Sequence, residues 1–155
     1  MQDTNPTPVA VITGGARGIG EAAARKFAAN GHAVAILDVN RGRGEALARE
    51  LASPRVRFYE CDVADAGIVA EVAARTQSEL GPARVLATSA ALIPNSESVL
   101  DMDLAAHDLM WRVNYQGTVL GFKGASQHRL LERRIVGHSG PLPAFSIRGS
   151  CEVAH

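Results

Sequence analysis

The stretch Val9-Ala10-Val11-Ile12-Thr13-Gly14-Gly15-Ala16-Arg17-Gly18-Ile19-Gly20 passes from an unbroken apolar run to four glycines within twelve residues. Alternate residues of a strand point to opposite faces, so a run that is apolar on both reads as a strand covered on both sides. Glycines immediately after it allow a sharp turn and close backbone approach at the entry to a helix. Ile19, Ala23 and Phe27 then recur every four residues, the spacing of one apolar helical face, and Gly31 after Asn30 supplies the left-handed residue that ends a helix.

The same alternation continues outward. Ala33 to Leu37 reads as a second strand closed by Asp38, Arg41 to Leu51 as a helix with Leu47 and Leu51 inward, and Val56 to Cys61 as a third strand. Asp65 caps a helix carrying Val69, Val72, Ala73, Thr76 and Leu80, which Gly81-Pro82 stops before a fourth strand, Arg84 to Ala87. After a polar loop a long helix is expected from about Ala105 towards Arg133, with Trp111 in the core and Asp101, Asp103 and Asp108 capping and charging its start. Arg134 to Val136 follows as a fifth strand, and Gly137 to His155 shows neither periodicity, which predicts an irregular tail. Strands separated by helices of this length imply right-handed crossovers. The expectation is an α/β fold, a doubly wound, Rossmann-like parallel sheet in a single domain over residues 1–155. A flavodoxin-like or receiver-like domain shares that alternation, which therefore selects no ligand by itself.

Composition bounds the rest. The 16 Lys plus Arg residues balance 16 Asp plus Glu over 155 residues, leaving no basic excess to hold nucleic acid or an anionic membrane. Apolar runs such as Ala33 to Leu37 are far shorter than the ~20 residues of a membrane span. Met1 to Pro8 has no basic residue ahead of an apolar stretch, so no secretory signal is expected. Cys61 and Cys151 form neither a disulfide framework nor a metal spacing, and the five histidines are scattered. A cytoplasmic protein without a metal is the expectation.

Between Thr13 and Gly20 the missing Cβ atoms leave room for a pyrophosphate, whose charge would sit on free N–H groups at the positive end of a helix dipole. A P-loop does not fit, because Glu21-Ala22 follows Gly20 where Lys and Ser or Thr would stand. Asp38 closes the second strand 18 residues beyond Gly20. From that place a carboxylate reaches adenosine ribose hydroxyls and repels a 2′-phosphate, which favours NAD over NADP. Arg17, Arg41 and Arg43 have two readings, a solvated face or a clasp on a 2′-phosphate.

With these residues the chain resembles the short-chain dehydrogenase/reductase family. Thr13, Gly14, Gly18 and Gly20 match its T-G-x-x-x-G-x-G turn, in which Arg17 and Ile19 also face the cofactor. Asp62-Val63 is similar to the family's adenine contact. Thr88-Ser89-Ala90-Ala91 stands where the family has N-N-A-G; both Asn and the Gly are replaced, which weakens the support this motif gives the adenosine side. The resemblance implies Ser89 and Ala90 as the cofactor contacts there. Asn114 and Gly117 match N-x-x-G, whose Asn serves a water-linked proton relay. The resemblance covers about Pro8 to Val136. It implies hydride transfer between a nicotinamide dinucleotide and a small-molecule secondary alcohol or ketone.

The family's chemistry needs a Ser at the end of the fifth strand and Tyr-x-x-x-Lys on the next helix, where the Lys lowers the Tyr pKa. Tyr59 and Tyr115 are followed four positions on by Val63 and Val119, so the Tyr and Lys pair is absent. Arg134 to Gly140 resembles the strand leading to the Ser; Ser139 sits one place early and is either that Ser or a plain loop serine. Asn114 and Ser139 are the two catalytic candidates. Gly137-His138-Ser139-Gly140-Pro141 is not G-x-S-x-G. The sheet is expected to be truncated after about its fifth strand, and its open edge predicts self-association or a homo-oligomer. Three readings stay open: a family oxidoreductase whose missing pair leaves this chain alone inactive, an NAD-binding protein without turnover, and a fragment that neither folds stably nor binds.

Overall fold

The computed structural model describes residues 7–93 and 98–127. Strand β1 (Val9–Thr13) leads into helix α1 (Gly18–Ala29), then β2 (Ala33–Asp38), α2 (Arg41–Glu50), β3 (Val56–Glu60), α3 (Ala66–Leu80) and β4 (Ala83–Thr88). A short 3₁₀ turn at Val99–Asp101 precedes α4 (Leu104–Trp111), a π turn (Arg112–Gln116) and α5 (Gly117–Gln127). The four strands are parallel and lie in the order β3-β2-β1-β4. The chain winds outward from β1 to β3, then crosses back to β4 on the far side of β1. The order therefore reverses between β1 and β4, where an open sheet of this kind leaves a crevice at its carboxyl ends.

Alternation along the strands supplies both faces. Ile12, Val34, Ile36, Val56 and Ala87 point to one side and pack with Ala24 of α1 and Leu47 of α2, supported by Ala23, Phe27 and Phe58. Ala35, Leu37 and Tyr59 point to the other, against Val69 and Val72 of α3, with Val113 and Leu120 packed alongside. Leu86 and Ala125 extend that second layer. Each strand thus buries side chains on both faces, the doubly wound arrangement that its composition implies. Gly31, at φ +79°, ends α1, and Asp65 caps α3 by accepting from the N–H groups of Gly67 and Ile68.

Three expectations need correction. Ile19 does not join Ala23 and Phe27 in the core; it is 69% exposed and borders the open cleft at the start of α1. The helix expected from Ala105 runs without a break over its described length, 104–127, but a wider π turn at Arg112–Gln116 shifts its faces, so one stripe does not persist along it. Trp111, expected in the core, is 57% exposed and stacks on Tyr115 with ring centroids 4.5 Å apart. The expected fifth strand at Arg134 to Val136, the tail from Gly137 and Ser139 lie outside the described residues.

Candidate functional site

The glycine turn forms where β1 must pass into α1 under the backbone that follows β4. Gly14 has φ +62°, and a Cβ there would lie 2.6 Å from Ala90 Cα and 2.8 Å from the Ser89 carbonyl carbon. A side chain would therefore separate the turn from the end of β4. Thr13 seals the same junction: its Oγ1 accepts from the N–H groups of Ser89 at 3.2 Å and Ala90 at 3.3 Å. The replacement of the family's N-N-A-G by Thr88-Ser89-Ala90-Ala91 leaves this backbone seam in place.

Helix α1 begins without a side-chain cap. Arg17 precedes it in extended backbone and offers no acceptor, whereas Asn40, Asp65 and Asp103 cap α2, α3 and α4. The first-turn amides of Gly18 and Ile19, both exposed, are thus left for solvent or a ligand at the positive end of the helix, with Gly20 buried behind them. Gly18 has φ +56° and nothing within 4 Å of its Cβ position, so the turn is open at this point.

These features border a cleft of about 610 Å³ at the carboxyl ends of β1, β2 and β4. Of the expected cofactor residues, Gly14, Arg17, Gly18, Ile19, Asp38, Asp62, Val63, Ser89 and Ala90 line it. Thr13 and Gly20 lie behind the wall and shape it. Val39, Cys61, Ala91, Leu92, Ile93 and Val113 also line the cleft and were not singled out from the sequence. Each adjoins a residue that was, so extending the motifs by one to three positions would have found them. Arg17 is the one cation among the described lining residues, which also include the carboxylates of Asp38 and Asp62.

Asp38 is partly buried at the end of β2; its Oδ2 accepts from the Ala16 N–H at 3.0 Å and its Oδ1 from the Asn40 N–H at 2.9 Å. Asp62 Oδ1 accepts from the Ala64 N–H at 2.9 Å, turning the chain after β3. Burial, followed by the nearby carboxylates of Asp62 and Asp65, pushes the Cys61 thiol up to about 12, so this thiol is protonated and unreactive at neutral pH. Asn114 lies in the π turn and grips the loop after β4 from both sides: its Oδ1 accepts from the Leu92 N–H at 2.8 Å and its Nδ2 donates to the Leu92 carbonyl at 2.9 Å. The amide keeps one further N–H and one lone pair beyond this clamp, which is capacity for a water.

The chain matches the family described as short chain dehydrogenase over residues 8–138. It is 34% identical to the mitochondrial (-)-isopiperitenol/(-)-carveol dehydrogenase of Mentha piperita, covering 94% of this chain and 59% of that one. It is 36% identical to a (+)-cis,cis-nepetalactol synthase of Nepeta racemosa, covering 77% of this chain and 45% of that one. A crystal structure of a short-chain dehydrogenase/reductase, glucose/ribitol dehydrogenase, from Brucella melitensis superimposes with TM-score 0.74 and 27% identity, over 77% of this chain and 51% of that chain. The chain spans about half the length of these relatives. With the family match covering the glycine turn, all four strands and the clamp at Asn114, the chain belongs to the short chain dehydrogenase family.

Proposed function

We propose that this chain binds a nicotinamide dinucleotide in the cleft and forms the nucleotide-binding part of an oxidoreductase acting on a secondary alcohol or ketone. The observation that carries the reading is the uncapped N-terminus of α1, set beside the Asp38 carboxylate at the point where the strand order reverses. In this reading the amides of Gly18 and Ile19 take the pyrophosphate and Asp38 takes the adenosine ribose hydroxyls. Asp62 and Val63 border the adenine, with Ser89 and Ala90 on the adenosine side. The negative charge of Asp38 favours NAD; Arg17 on the same wall is what NADP would use. The cofactor, when bound, supplies the hydride acceptor or donor. Asn114 and Ser139 are the polar groups proposed for the substrate end, and without Tyr-x-x-x-Lys the 155-residue chain by itself has negligible turnover.

Relatives named for isopiperitenol, carveol and nepetalactol favour a small oxygenated substrate, and Leu92 and Ile93 give the cleft an apolar rim that fits one. Exposed Leu104, Leu109, Trp111, Tyr115 and Val119 along α4 to α5 support self-association. The proposed compartment is the cytoplasm, to be checked by fractionation; no helix among the described residues is long and apolar enough to cross a membrane. Calorimetry tests the central reading. NAD should bind with one site per chain, and Asp38→Ala should weaken it by roughly 1.5–3 kcal/mol through loss of charge-assisted hydrogen bonds. Tighter binding of NADP than NAD would overturn the cofactor preference, and no binding by a folded chain would overturn the function.

A further inference from the structure

Asp38 has work in the fold before any ligand arrives. Its Oδ2 accepts the N–H of Ala16, 22 positions away in the middle of the glycine turn, at 3.0 Å. Ala16 is 3% exposed, and an amide buried this deeply needs an acceptor. One residue earlier, the Gly15 N–H donates to the Leu37 carbonyl at 3.1 Å. Two successive amides of the turn are thus joined to the last two residues of β2, first through backbone and then through the Asp38 side chain. Each carboxylate oxygen has spent one lone pair, on Ala16 and on Asn40, and retains another. The group can therefore hold the turn and still accept two hydroxyls of a diol.

We propose that Asp38 is a positioning residue for the glycine turn: by fixing the Ala16 amide it sets the start of α1 relative to β2 in the unliganded protein. The functional consequence rests on the cofactor site proposed above. A residue acting only on the ribose would weaken only ligands that carry that ribose. A residue that also fixes the turn weakens any pyrophosphate ligand when it is lost, so a substitution intended to admit a 2′-phosphate would loosen the phosphate site as well. Asp38→Asn separates these effects in part, because its single carbonyl oxygen can serve Ala16 or Asn40 while its NH₂ faces the other donor.

Amide hydrogen exchange on the unliganded 155-residue chain, read residue by residue, tests the clip. The Ala16 N–H should be protected in the wild type although it lies outside any helix or strand. In Asp38→Ala it should exchange roughly tenfold faster or more while Ile12 in β1 is unchanged, with Asp38→Asn between the two. Titration with inorganic pyrophosphate and with NAD should show both weakened in Asp38→Ala. Rapid exchange of Ala16 in the wild type overturns the proposal even if no variant folds. So does weakened NAD binding with pyrophosphate binding and Ala16 exchange unaltered. A wild type that protects Ala16 but does not bind NAD supports the clip while overturning the cofactor reading.

Discussion

Replacing Gly20 by Ala should destabilise the chain even though the position is helical. Gly20 is the third residue of α1, where Ala is ordinarily preferred to Gly by up to ~1 kcal/mol. Here a Cβ would lie 2.1 Å from the Gly14 carbonyl oxygen, 2.8 Å from its carbon and 3.0 Å from Gly15 Cα. All three neighbours are backbone, so no rotamer relieves the overlap. Ordinary contact begins at 3.4 Å, which requires the start of α1 to lift from the turn by more than 1 Å. Overpacking costs ~1–3 kcal/mol, and an overlap this deep against backbone belongs at the upper end, which after the propensity gain leaves a net loss of about 2 kcal/mol. Gly121→Ala is the matched control. Its Cβ would meet Leu86 Cδ2 at 3.7 Å and Thr88 Cγ2 at 3.8 Å, in contact without overlap. It also borders an apolar cavity of about 30 Å³ between the sheet and α3 and α5, room for about one water. Ala there should stabilise by about 1 kcal/mol. Urea denaturation of the two variants beside the wild type reads both signs. A Gly20→Ala chain as stable as the wild type, or a destabilised Gly121→Ala chain, would refute the reasoning.

Stability should also fall in alkali. Burial, with the Glu79 carboxylate adding to it, pushes the Tyr59 phenol up to about 12, and Cys61 reaches about 12 as well. Unfolded, these groups ionise near 10 and 9, so above about pH 9 the unfolded chain loses protons that the folded chain keeps. Their contribution is full below pH 9 and is lost as pH rises towards 12; a urea midpoint unchanged from pH 8 to 11 would contradict this. Trp111→Ser with Val119→Ser removes two exposed apolar groups from α4 and α5, and light scattering at micromolar concentration should then show a smaller species than the wild type; an unchanged size would place any association elsewhere.

β1 and β2 were legible because each is an apolar run on both faces closed by a glycine turn or by Asp38. β3 and β4 were legible because short β-branched runs lie between helices ended by proline or glycine, although Arg57, Glu60 and Arg84 interrupt them. β1 has the limits expected of it, and the other strands differ by a residue, as at Glu60 rather than Cys61 and at Ala83–Thr88 rather than Arg84 to Ala87. Asp38 and the glycine turn were legible because their spacing follows from one strand–helix–strand unit. Ile19 was misread because periodicity reports a helical face and cannot report that this face opens onto the cleft in the first turn. Trp111 was misread for a related reason. Apolar residues surround the segment from Leu104 to Phe122 on every side, and the π turn shifts the register between α4 and α5, so no single face was marked as inward. The clamp of Asn114 on Leu92 and the clip of Asp38 on Ala16 join residues 22 positions apart, through side-chain directions that only the packed fold defines.

The most direct test of the proposed site is an amide chemical-shift titration of the 155-residue chain with NAD. A single saturable process is expected, with the largest changes at Gly18, Ile19 and Gly20 and smaller ones at Asp38, Asp62, Val63 and Ser89. A folded chain that shows no saturable change with NAD or NADP at ~millimolar concentration, or changes confined to α4 and α5, would contradict the assignment of the cleft as a dinucleotide site.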